Sequence, residues 1–194
     1  QVMSDMLYTT AFSAHPYRNN VVGWMDDLKR LTRTDADKFF SEFYAPNNAT
    51  LAVVGDVKPA EVIALAEKYV SSWKAKEIPV TPITKEPPQT AEKRVNVFAK
   101  AQPMIRLGFH NPGLGSQDMP SLIMLSEVLS NGKTARFYRN LVEGSQVALY
   151  AQSGPMAPGI RYPSLFLIAA APKAPHTMEE LETAIWAEID RLKK

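Results

Sequence analysis

Four prolines fall within a stretch of ten residues, at Pro79, Pro82, Pro87 and Pro88, interleaved with threonine, glutamate and lysine. Each proline removes a backbone donor and fixes φ, so this stretch joins neither a helix interior nor a central strand. Residues 76–93 are expected to form an extended linker, exposed enough to be cut by proteases. The chain is thereby divided into segments 1–75 and 94–194, each of which must find partners for its own apolar residues.

Before the linker the pattern is mostly helical. Met6, Leu7 and Phe12 mark a first helix that His15-Pro16-Tyr17 breaks. Thr34 to Asp37 reads as an N-terminal capping pair for a second helix, in which Phe39, Phe40, Phe43 and Tyr44 make an apolar stripe. At helical spacing such a stripe is ordinarily core. Ala49 to Val54 is an apolar run closed by Gly55-Asp56 and suits a buried strand. Pro59 opens a further helix carrying Val62, Ile63, Ala66, Val70 and Trp73.

Beyond the linker, Val95 and Val97 alternate with polar residues, as do Ile105, Leu107 and Phe109, predicting two half-buried strands. A helix opens near Asp118 and Pro120, and a shorter one passes through Phe137 and Leu141. Val147–Ser153 and Ser164–Ala171 are apolar runs joined by a Gly- and Pro-rich loop, which predicts an antiparallel pair. Thr177 to Glu180 has capping-box form and starts an amphipathic helix with Leu181, Ile185, Ile189 and Leu192 on one face. About five strands occur in pairs among about six helices, so the expected fold is α+β, a mostly antiparallel sheet covered by helices.

Composition narrows the function. Twenty-two basic and 20 acidic side chains leave a formal charge of +2 with no long basic run, which argues against nucleic acid as a partner. No apolar run is long enough for a membrane span. Cysteine is absent, which removes disulfides and thiolate metal sites and leaves the compartment open. His15, His110 and His176 stand far apart, in no pattern that sets two metal ligands on one helix face. Turn and surface positions account for all three. Gly113-Leu114-Gly115 lacks the third glycine of a dinucleotide loop, and Gly55-Asp56 reads more simply as a strand exit with a turn-capping aspartate. The residues therefore nominate no catalytic group and no metal ligand.

Several segments in order are similar to one known family. His15-Pro16-Tyr17, Gly23, and the run from Thr32 through Tyr44-Ala45-Pro46-Asn47-Asn48-Ala49-Thr50-Leu51-Ala52-Val53-Val54-Gly55-Asp56-Val57 resemble the end of the first domain of insulinase/pitrilysin-type zinc metallopeptidases, the group that includes mitochondrial processing peptidase. Pro103 to Asn111, Leu129-Ser130-Asn131-Gly132, Thr134 to Tyr138 and Leu141-Val142-Glu143 resemble the start of the domain that follows.

The resemblance implies that 1–75 is the tail of one peptidase-type domain and 94–194 the head of a second, non-catalytic one. Tail and head in swapped order make up one complete domain, so 1–75 and 94–194 are expected to pack together as a circular permutant, with the Thr50–Val54 strand joining the later sheet. The zinc and its His-x-x-Glu-His helix are expected upstream of Gln1, with no cofactor in this segment, and the start at Gln1 reads as an excision from a longer chain. Partner halves in the family supply an arginine and a tyrosine seven residues apart. Tyr150 is the candidate for the tyrosine and hence for substrate contact, but Glu143 stands where the arginine belongs. The implied function is that of a non-catalytic segment of a peptide-hydrolysing zinc enzyme, shaping the substrate chamber and its interface. The alternative is a structural or peptide-binding subunit without peptidase activity. Implied partners are the zinc-bearing domain of the same protein, peptide substrates, and a second copy through segment exchange. The resemblance is of bacterial type, which leaves periplasm and cytoplasm equally open.

Overall fold

The computed structural model describes residues 2–193, which divide into two compact units, Gln1–Val21 with Thr84–Lys194, and Val22–Ile83. Among the described residues, no helix is long and apolar enough to cross a membrane.

The first unit opens with α1 (Val2–Ala11) and a single 3₁₀ turn, Pro16–Arg18. Its sheet comprises β1 (Ile105–Asn111), β2 (Ala148–Ala157) and β3 (Ser164–Pro172) in the order β1-β3-β2, antiparallel throughout. Phe166, Ile168 and Ala170 of the central strand pack with Leu129 of α5 (Met119–Ser130), Phe137 and Leu141 at the start of and within the following π-helical stretch Tyr138–Gly144, and Leu181 and Ile185 of α6 (Met178–Leu192). The Thr177/Glu180 capping box starts α6 as its sequence requires. Inside this core Glu188 is buried, held by Arg136, Asn140 and Arg191.

The second unit carries α2 (Met25–Arg30), α3 (Arg33–Phe43) and α4 (Pro59–Val70). The capping box of α3 is Thr32 with Asp35, two residues before the expected Thr34/Asp37 pair. Thr32 is the better start because its hydroxyl accepts the Asp35 N–H while the Asp35 carboxylate accepts the Thr32 N–H. Within 22–83, Ala45 alone is buried, and the aromatic stripe expected to be core is open, with Phe39, Phe40 and Tyr44 all more than half exposed.

The expected sheet of about five strands is corrected to three. Ala49–Val54 and the Val95/Val97 stretch carry no ladder, and Leu51 and Val54 are 74% and 96% exposed. The Thr50–Val54 segment thus forms no strand within this chain. Both stretches have the local pattern of a strand, but a strand is completed by a neighbour that takes up its N–H and C=O groups, and local alternation does not supply one.

Candidate functional site

The polar cluster with the most defined geometry lies where α1 ends. The chain turns at Ser13, and three successive backbone N–H groups converge on Glu86: Ser13 at 2.7 Å, Ala14 at 2.9 Å and His15 at 2.9 Å. The Ser13 hydroxyl adds a fourth donor at 2.6 Å. Successive N–H groups of this kind form an anion-binding concavity. Burial by itself would raise the Glu86 pKa, but the four donors outweigh it and hold the carboxyl well below its ordinary range, at about 2. Pro87 and Pro88 follow at once, so the expected linker is fastened at this point to the turn after α1.

Beside the carboxylate lies an aromatic group. His15 is buried and its Nδ1 accepts the Tyr17 N–H at 3.0 Å, capping the 3₁₀ turn. Tyr17 meets the His15 ring edge-on at 4.5 Å between centroids, and Tyr162 lies 5.5 Å away. The Tyr17 hydroxyl accepts the Tyr162 N–H at 3.3 Å. It passes so close to Gly159 that a Cβ there would sit 2.7 Å from the oxygen, which is why that loop position has no side chain. Phe12, fully buried, joins His15 to His110 on β1, and His110 Nε2 lies 3.1 Å from the Ala11 carbonyl. Two of the three histidines therefore share one cluster. His176 stands apart, 2.9 Å from Glu180. Among the described residues no group of three or more His, Asp or Glu side chains is placed to hold a metal ion, so this segment does not fit the zinc of a peptidase.

Tyr150 lies on β2, which has one strand neighbour and so forms a sheet edge. The β2–β3 register shifts between Ala148 and Tyr150, leaving Leu149 as an extra residue. This bulge turns Leu149 and Tyr150 outward together, between buried Ala148 and Ala151. Glu143 is exposed near the end of the π-helical stretch, and Val142 packs against the core. Glu143 thus occupies the sequence position, seven residues before Tyr150, that the resemblance assigns to an arginine. Nothing in the local pattern marks Glu86, which sits in a proline-rich run and draws its partners from more than 70 residues away. The His-Pro dipeptide was the available signal for the His15 turn.

Fold and cluster define the class first: an α+β domain with an antiparallel sheet, one face buried under helices, whose polar cluster ties distant segments of chain together. Residues 30–194 match the family described as Peptidase M16 inactive domain, and the chain belongs to that family. It is 34% identical over 192 residues to the zinc protease PqqE of Helicobacter pylori, covering 96% of this chain and 43% of that protein. A crystal structure of a protease from Helicobacter pylori superposes with a TM-score of 0.81 at 31% identity, over 97% of this chain and 46% of the other. A peptidase M16 inactive domain from Pseudomonas fluorescens shares the fold, with a TM-score of 0.79 at 20% identity, covering 100% of this chain and 46% of that one. The chain thus spans less than half the length of each of these relatives.

Proposed function

We propose that this chain is a non-catalytic segment of a zinc-dependent peptidase, in which it forms chamber wall and interface against a zinc-bearing domain of the same protein. The observation that carries the reading is the open apolar surface of residues 22–83, in a chain that spans 43% of its zinc-protease relative. Phe39, Phe40, Tyr44, Leu51, Ile63 and Tyr69 are each more than half exposed, and every large apolar side chain left in water forgoes about 1.5–3 kcal/mol. Such a surface is satisfied by further polypeptide. In family terms 1–75 is the tail of one domain and 94–194 the head of the next, joined by 76–93. Tyr150, lifted outward by the Leu149 bulge, is the substrate-contacting side chain of this wall.

Metal analysis after gel filtration, with a peptide-cleavage assay, tests the reading. The chain is expected to hold no stoichiometric zinc and to cleave nothing. One retained zinc per chain, with cleavage lost on chelation, overturns it. A second reading, peptide capture without catalysis, is favoured by the place of β2 at the end of the strand order, with Leu149 and Tyr150 exposed on it. Calorimetric titration with unfolded peptides against wild type and Tyr150→Ala addresses it, and flat traces dismiss it.

A further inference from the structure

A histidine nitrogen that accepts a backbone N–H inside a buried site fixes the protonation state of its ring. His15 Nδ1 accepts from Tyr17, and Nε2 is buried without a hydrogen-bond partner. An imidazolium has hydrogen on both nitrogens and accepts nothing. The turn as built requires the neutral ring with its hydrogen on Nε2, a tautomer assigned here from the hydrogen-bond network.

The same turn fastens three pieces of chain. Its N–H groups hold Glu86, its tyrosine holds Tyr162, and Phe12 at the end of α1 packs on both His15 and His110. Upstream, α1 lies along β1: Ser4 meets Arg106, the Ala11 carbonyl meets His110, and a Cβ built on Gly108 would touch both Leu7 and Leu165. We infer that His15 is an acid-sensitive latch, which when neutral closes the His-Pro-Tyr turn over α1 and the Glu86 segment, and when protonated releases them and uncovers β1.

The charged and titratable groups around it settle the direction. Tyr17 and Arg18 belong to its own turn, and the Arg18 guanidinium is engaged by the Ser13 carbonyl at 2.8 Å. Tyr162 faces the ring from the loop before β3, with the Arg161 guanidinium 5.4 Å from the tyrosine centroid. His110 faces it across Phe12, with its Nε2 3.1 Å from the Ala11 carbonyl. Among the described residues Glu86 is the carboxylate that acts on the ring, and it favours the imidazolium. Burial outweighs that attraction and lowers the His15 pKa below 6.5. With the closed-state value depressed, the latch stabilises the closed form above about pH 6.5 and weakens as pH falls.

Hydrogen exchange by mass spectrometry on the full chain tests this, with rates corrected for the intrinsic pH dependence of exchange. If the opened turn protonates with the ordinary value of 6.5, its population rises between pH 7.5 and 5.5 by up to about tenfold, the limit set by a closed turn that stays neutral throughout. Exchange across α1 and residues 13–18 is expected to rise over this range, toward that limit. His15→Asn keeps a side-chain acceptor for the Tyr17 N–H but does not titrate, and is expected to flatten the response. A flat wild-type profile, or an equal rise in His15→Asn, overturns the inference. An NMR titration of wild type keeps it falsifiable if the variant misfolds: a His15 pKa at or above 6.5 overturns it as well.

Discussion

Glu188 is a carboxylate 1% exposed, set between α6 and the π-helical stretch, and its removal should unfasten the first unit. One oxygen accepts from Asn140 Nδ2 at 2.8 Å and lies 3.3 Å from Arg136 Nη2, while the other faces Arg191. Arg191 is largely in water and contributes little. Arg136 is different: its side chain is 32% exposed and its Nε is buried without a partner, so losing Glu188 leaves that charge poorly compensated and the Asn140 amide unpaired. Breaking a buried pair from one side costs about 3–5 kcal/mol, and the partial exposure of Arg136 places Glu188→Ala near the lower end, at about 3 kcal/mol. Glu188→Gln keeps an acceptor for Asn140 and should cost about 1–2 kcal/mol. Replacing both Arg136 and Glu188 by Met should recover part of that loss, because two desolvated charges are removed together, and leave about 1–2 kcal/mol for the Asn140 amide that still lacks its acceptor. Urea denaturation followed by Trp186 fluorescence, with Trp24 and Trp73 changed to Phe, reads this unit, since Trp186 packs edge-on against Phe109 at 5.8 Å. A loss below about 1 kcal/mol for Glu188→Ala, or a double variant as unstable as the single, would refute the reasoning.

Glu86 gives a separate acid transition. Its folded pKa, about 2 against an ordinary 4.5, makes its contribution complete above pH 4.5 and lost as pH falls toward 2. The full shift corresponds to about 3.4 kcal/mol, which solvent screening at this partly open site reduces to about 1–2 kcal/mol. Glu86→Gln should remove that much at pH 7 and nothing at pH 2, and equal losses at both pH values would contradict the assignment. Gly144→Ala would put a Cβ 2.8 Å from the Arg139 carbonyl oxygen within the π-helical stretch, so thermal melts should show a loss of about 1–3 kcal/mol, and an unchanged midpoint would show that the backbone yields freely. Limited proteolysis should leave the bonds flanking Glu86 intact in wild type and open them in Glu86→Ala, against the free cleavage that a bare proline-rich linker would undergo.

The readable parts of this fold are those whose signal is local. Thr177 and Glu180 announce α6 because a capping box is completed within four residues, and Pro59 starts α4 because its fixed φ suits the first helical position whatever lies around it. The β2–β3 pair was legible because two apolar runs flank one loop, whereas the Leu149 bulge was not, since an extra residue becomes visible only once the partner strand sets the register. Thr50–Val54 and the Phe39–Tyr44 stripe failed in the opposite way. Their periodicity reports what the segment is suited to bury, and burial depends on a second surface that periodicity does not specify. Glu86 marks the same limit for polar groups. A lone glutamate between a lysine and two prolines carries no signature, and its chemistry comes from three N–H groups more than 70 residues away, aligned by a turn that His15 caps. The apolar side chains over 22–83 and the turn at His15 are therefore alike: each is a local pattern whose meaning depends on what it faces.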